Sequence, residues 1–434
     1  MPGDAPGYWF LYCHGPGLMT LLAAQSAFET DLTRRVETDQ GDWLNRQLTT
    51  LAFSALPTLR HIHWGDLQPG WDGGLTHEMA GNIDAMAWAL KSPAAARLSR
   101  YVAAKRGAAR FYGDTAVLYF LYTRHVTAKP ADPPLAYLAG GRGGGQFYAR
   151  SDWTDAATIV GFRCTDFFGS HNHFDQGSFV IYRNGPLAMD TGCYRHPRGH
   201  QQATACHNTL LFDGRGQRGL RFQWAQTLDE FKARLHHKTK PIETGEVLFH
   251  AVEKGWAAVA GQFGQAYDPK AVKSCVRQLL FVRPGTVVVV DRITPPDGAS
   301  LPDVQWLLHL PGKPDAQTAG AGVVTTNNGR SWLRCRALVP GGVTPTIEAA
   351  HQTPEGGPPD RAVKAKLMDT SRAAFTYKGK GARLLVHLLE VGDGSPPAAA
   401  PAPRATVRGA TVELRIGDGT FRFAGAPTWA VSLK

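Results

Sequence analysis

The chain has 434 residues, 43% of them hydrophobic and 19% charged, a balance that excludes a disordered chain and leaves ample apolar surface for cores that need no staples. Lys and Arg outnumber Asp and Glu by 47 to 36, a net charge of +11, which suits a polyanionic partner such as nucleic acid, anionic lipid or an acidic polysaccharide. Six cysteines without a CxxC pair exclude a zinc knuckle, a thioredoxin-type site and a disulfide scaffold.

The first elements read as helices. Residues 17–35 place Leu18, Leu21, Leu22, Ala24 and Phe28 near one face. Residues 41–56 repeat the pattern, with Gly41-Asp42 ahead of Trp43 as a start signal. Residues 75–92 and 94–106 are Ala-rich and favour helix, and 114–124 fit either a last helix or a first strand. Residues 1–125 therefore predict a helical domain of bundle or toroid type. KPADPP and GGRGGGQ mark 126–147 as a linker by composition. From 148 to 434 short β-branched and aromatic runs alternate with turn residues, which predicts a large antiparallel β-sandwich. Asn184-Gly185 is a hairpin signal within it. The fold class expected is α+β and multidomain, helical first and β-sandwich second. No apolar run approaches the roughly 18 residues of a membrane span. The N-terminus lacks the basic start of a signal peptide, since Asp4 precedes the first apolar stretch.

Chemistry-bearing residues concentrate at 164–217. His173, Asp190 and His207 are spaced 17 and 17 residues apart, and two imidazoles with a carboxylate are an ordinary zinc ligand set. Cys206 beside His207 is an alternative thiolate. A straight hairpin turning at Asn184-Gly185 pairs Asp190 with Phe179, not with His173. His173 reaches Asp190 only if Asp175-Gln176-Gly177 folds the preceding loop back over the strand, a turn that Gly177 permits. Otherwise these are separate loop histidines satisfied by hydrogen bonds. His171-Asn172-His173 with a basic chain also suggests an HNH-type nuclease. That motif requires a helix after its hairpin, whereas a Val/Ile/Tyr strand and an Asn-Gly turn follow here, so no nucleic-acid partner is expected.

GSHNHFDQGSFVIYRNGPLAMDTGCY at 169–194, with HNTLLFDGRGQ at 207–217, resembles the C-terminal domain of the heparinase II/III-like polysaccharide lyases, a family that joins a helical toroid to an antiparallel β-sandwich. VRQLLFVRPGTVVVVDRI at 276–293 and WLLHL at 306–310 are similar to later family segments. The resemblance implies a partial α/α toroid over 1–125. It also implies zinc, structural in role, held by His173, Asp190 and His207, with His171 in the cleft as a catalytic or substrate-contacting group. GDAPGYWFLYCHGPG at 3–17 resembles the family's helix-start motif (usually Glu-Gly-Pro-x-Tyr), which places the catalytic tyrosine at Tyr8, with Asp4-Ala5-Pro6 in place of Glu-Gly-Pro.

The activity so implied is β-elimination on a uronate-containing polysaccharide of the heparin, heparan sulfate or alginate type. Tyr8 and His171 would carry the proton transfers, and Tyr12, Tyr194, Asn172 and Arg198 would line the sugar subsites. Relatives carry a carboxylate-neutralising Asn or His upstream of the tyrosine, and no residue ahead of Tyr8 corresponds to it. The alternative expectation is therefore a zinc-stabilised protein that binds acidic glycans without turnover. The resemblance also implies a periplasmic or extracellular location and no membrane partner.

Overall fold

A computed structural model describes residues 15–28, 43–62, 64–65, 77–106, 126, 128–140, 145–167, 172–192, 201–218, 243–314, 322–354, 367–398 and 403–434. The chain forms two compact units. One is built mainly from Leu138–Glu355 and Leu367–Lys434, the other from Asp4–Tyr137 with Gly356–Lys366.

The helical unit contains, among the described residues, α1 (Gly15–Phe28), α2 (Trp43–Ser54), α3 (His77–Leu90) and α4 (Pro93–Arg106). Leu48, Leu51, Ala52 and Ala55 follow helical spacing and bury against Ile83 and Met86 of α3 and Leu98 and Val102 of α4. Ser92 caps α4, its hydroxyl accepting the Ala95 N–H at 3.4 Å, with Pro93 at the first helical position. Of the expected helices, 114–124 lies outside the described residues. The stretch with linker composition, 126–147, already contains strand.

The β unit begins with β1 (Ala136–Ala139), β2 (Gln146–Arg150), β3 (Ile159–Arg163), β4 (Phe179–Tyr182) and β5 (Pro186–Ala188), joined in that order as a five-stranded sheet that is antiparallel from β2 to β5. Then come β6 (Leu210–Phe212), β7 (Glu246–Val252), β8 (Trp256–Gln262), β9 (Ser274–Val282), β10 (Thr286–Thr294), β11 (Val304–Pro311), β12 (Val323–Asn327) and β13 (Ser331–Val339). After these run β14 (Thr346–Ala349), β15 (Thr353–Pro354), β16 (Leu367–Met368), β17 (Thr370–Tyr377) and β18 (Arg383–Asp393). The chain closes with β19 (Ala405–Arg408), β20 (Thr411–Ile416), β21 (Gly419–Phe423) and β22 (Val431–Leu433). A seven-stranded sheet has the order β12-β13-β18-β10-β9-β8-β7, and a four-stranded sheet the order β14-β17-β11-β6.

These two sheets face each other. Trp306 of β11 donates its Nε1–H to Asp291 of β10 at 3.0 Å and stacks on His387 of β18 with ring centroids 3.8 Å apart. On the opposite face of the seven-stranded sheet, Leu280, Val288, Val290, Val386 and Leu388 pack against Val412, Leu414, Phe421 and Phe423 of the final β19–β22 sheet. Covering on both faces explains the unbroken run Val287–Val290, since an alternating strand would leave one face in water. The expected antiparallel β architecture is present.

Candidate metal centre

Three segments of the β unit converge on one buried cluster. The first is the loop from Asn172 into β4. At its end Gly177 adopts a positive φ of 78°, and the Ser178 N–H donates to the Asp175 carbonyl at 2.9 Å, closing the fold-back turn that the sequence permitted. A Cβ at Gly177 would stand 2.4 Å from the Phe263 ring, so glycine is required for space as well as for conformation. The second segment is the end of the hairpin. Ile181 pairs with Ala188, a register that two residues further on brings Asp190 to the start of β4, where the Ser178 hydroxyl lies 3.4 Å from Asp190 Oδ1. The third is the 3-10 turn Thr204–Cys206, which delivers His207.

His173, Asp175, Asp190 and His207 are all buried. The imidazoles of His173 and His207 lie 5.2 Å apart by ring centroids, and Asp190 Oδ2 is 3.1 Å from His207 Nδ1. One ligand-capable atom from each of Asp175, Asp190 and His207 falls within 4.8 Å of the other two. The structure thus brings Asp190 and His207 together with Asp175, while His173 lies beside this group through its ring contact with His207 and is not one of the three whose ligand atoms cluster. The sequence carries Asp175 within a His-x-His-x-Asp pattern at 171–175.

Burial pushes the Asp190 carboxyl up, but the charges of His207, His173 and Arg163 and a hydrogen bond from His207 more than reverse this, and Asp190 is held below its ordinary range. Burial pulls His207 down, and the Asp190 charge and hydrogen bond, with Asp175, lift it above its ordinary value. Two buried carboxylates thus face a single buried guanidinium, Arg163, which pairs with Asp175 at 3.0 Å. With His207 neutral, as metal ligation requires, this set carries excess negative charge, which favours a cation. His207 Nε2 is buried and makes no hydrogen bond, so a nitrogen lone pair or proton is left without a protein partner. Orphaned ring nitrogen, clustered carboxylates and the N/O donor set all fit zinc. Burial pushes the neighbouring Cys206 thiol up to about 12, which keeps it protonated and weighs against it as a thiolate ligand.

The surrounding shell is tightly bonded. Asn208 donates through Nδ2 to the carbonyls of Phe179 at 2.8 Å and Met189 at 3.2 Å, and its Oδ1 accepts the His309 N–H at 2.6 Å. It therefore ties both hairpin strands to β11 beside the candidate ligand His207. Asn172, expected at the substrate, is buried next to His173. Tyr8, Tyr12, His171, Tyr194 and Arg198 lie outside the described residues.

The heparinase II/III-like C-terminal family profile matches residues 133–382, which include all four clustered residues. The chain belongs to the heparinase II/III-like family. Among solved structures it is similar to heparan sulfate lyase HepC from Pedobacter heparinus, with 14% identity and a TM-score of 0.65 over 99% of this chain and 58% of that one. A heparinase III structure gives 14% identity and a TM-score of 0.61 over 95% of this chain and 59% of that one. The heparinase III BT4657 gene product gives 15% identity and 0.58 over 87% and 52%. The chain therefore spans less than 60% of the length of each of these structures. At these identities the likeness establishes a shared fold. No curated protein sequence matches the chain. No described helix is long and apolar enough to cross a membrane.

Proposed function

We propose that this heparinase II/III-like protein is a polysaccharide lyase that cleaves a uronate-containing acidic polysaccharide by β-elimination. The observation that carries the proposal is the buried cluster of Asp175, Asp190 and His207, with His173 beside it, inside the family-matched region. The basic balance of the chain supports an anionic substrate.

His173, Asp190 and His207 would hold zinc, with Asp175 beside them. Bound there, zinc supplies positive charge to the buried carboxylates and cross-links the 172–175 loop, the hairpin end and the 207 loop. Its role in this reading is structural.

The chemistry falls to side chains at the cleft. In the elimination the C5–H bond breaks, its proton passes to a base, the C4–O bond breaks, and the leaving oxygen takes a proton from an acid as the C4–C5 double bond forms. The C5 proton is only weakly acidic, so a neutralising group at the uronate carboxylate is required. In this reading Tyr8 is the acid/base and His171 the second proton-transfer or neutralising group, held two residues from the ligand His173. Tyr12, Tyr194 and Arg198 contact sugar, while the buried Asn172 supports the His173 loop. The N-terminal helices belong to a partial toroid that supplies Tyr8. A substrate of this kind places the protein in the periplasm or outside the cell.

The test is a panel of heparin, heparan sulfate, chondroitin sulfate, hyaluronan and alginate. Ultraviolet absorbance of the new unsaturated uronate is followed for the protein and for His171→Ala. A rise on one substrate that disappears in the variant supports the lyase. No rise on any substrate sinks it, and retained heparin binding in that case leaves the glycan-binding reading.

A further inference from the structure

Arg277 lies on β9 with its side chain fully buried, and its guanidinium is shared among three partners. Nε donates to Asp291 Oδ1 at 2.7 Å and Nη2 to Asp291 Oδ2 at 3.1 Å, a bidentate pair on the directly opposed position of β10. Nη1 points the other way and donates to two backbone carbonyls, Gly177 at 2.5 Å and Asn208 at 2.8 Å. Gly177 closes the turn that folds the His173 loop back, and Asn208 follows His207. One planar cation thus holds both histidine-bearing segments at a fixed separation. The rings of Phe179, Phe263 and Trp306 surround it, each centroid 5.7–5.9 Å from the guanidinium carbon. Trp306 Nε1 donates to Asp291 Oδ2 and fixes the carboxylate in turn.

We infer that Arg277, oriented by Asp291, is the positioning residue of the metal centre: it sets the spacing of the His173 and His207 segments from the core of the sandwich. The inference rests on the zinc reading above. A fork with donors in two directions is needed to grip a carboxylate on one side and two carbonyls on the other, and a lysine ammonium, a single point of charge, has no such geometry. Outer partners of this kind typically tune metal affinity by about 10- to 100-fold when removed.

The experiment compares zinc affinity, by competition with a chromophoric chelator, for the full chain, Arg277→Lys, Asp291→Asn and Val412→Ala. Val412 is buried in the far sheet and touches no part of the centre, so its variant reports simple loss of core stability. Cobalt is substituted in parallel and its visible absorption recorded as a readout of ligand geometry, and circular dichroism follows folding without metal. The expected result is a loss of zinc affinity of about 10- to 100-fold in Arg277→Lys and Asp291→Asn, with an altered cobalt spectrum. Both variants keep a native circular dichroism spectrum, and Val412→Ala binds as the parent does. Parent-like zinc affinity in both site variants overturns the inference, as does an equal loss in Val412→Ala. A site variant that stays unfolded with and without zinc marks a purely structural residue and overturns it too. If the parent chain takes no zinc, the zinc reading itself fails, an outcome distinct from the others.

Discussion

Asp190 Oδ2 stands 3.1 Å from His207 Nδ1, both side chains buried, and each shifts the other toward its charged form. The pair contributes to the metal-free fold only while both charges are present. His207 is raised above its ordinary 6.5, so its contribution is complete below that value and is lost as pH rises through the elevated one. Asp190 is lowered below its ordinary 3.8, so its contribution is complete above that value and is lost as pH falls through the depressed one. Metal-free protein is therefore expected to melt at a higher temperature at pH 6 than at pH 8. Zinc affinity is expected to run the opposite way, rising with pH as the metal displaces the His207 proton. Thermal melts with chelator and zinc titrations at the two values check both signs. Equal melting temperatures would remove the pair from the stability account.

Gly177→Ala is expected to be among the most damaging single-methyl changes in the β unit. It forces a side chain into left-handed backbone at φ 78° and drives a methyl into the Phe263 ring. The combined cost is about 2–5 kcal/mol, with a parallel fall in zinc affinity because the His173 loop can no longer fold back. Chemical denaturation and chelator competition on the same preparation test this. A variant of parent stability would show that the turn relaxes freely.

Trp306→Phe keeps a ring against His387 and removes the donor to Asp291. Asp291 still receives both bonds from Arg277, so the carboxylate is not stranded, and the expected loss is about 1–2 kcal/mol. A much larger loss in denaturant titrations would mean that the indole N–H is what holds the carboxylate in place.

Arg183 beside the hairpin turn grips Asp393 through two nitrogens, at 2.7 and 2.5 Å, while Asn184 donates to the same carboxylate at 3.0 Å. These bonds hold the half-exposed Asp393 carboxyl down to about 2. Arg183→Met should cost no more than about 1 kcal/mol at neutral pH, and less in high salt, because solvent screens the pair. The difference from the parent should persist down to the ordinary carboxylate range and vanish as pH falls through about 2. Urea titrations along an acid series measure it, and a gap that survives below that pH would refute the assignment.

The fold was legible where covering is simple. Val287–Val290 reads directly as a strand covered on both faces, and Leu48, Leu51 and Ala55 read as one face of a helix. Of the buried cluster, Asp190 and His207 were legible from their spacing, and the fold-back turn from one permissive glycine. Asp175 was within reach of the same motif. Arg277 was not visible locally, because a charge inside VRQLLFV resembles any edge-strand arginine. Only pairing outward from the Pro284-Gly285 turn puts it opposite Asp291, and only the folded loops bring the Gly177 and Asn208 carbonyls to its other side.

The contacts that frame the cluster span long stretches of chain, 100 residues from Gly177 to Arg277 and 101 from Asn208 to His309. The β7–β8 and β9–β10 hairpins, by contrast, close over three residues each. Long loops are entropically costly to close and close late. A refolding chain therefore builds these local hairpins before it closes the candidate cation site, and in the zinc reading metal supplied in the first moments would find nothing to bind. In the zinc reading, metal capture would be a timestamp, marking the moment at which the distant segments have met.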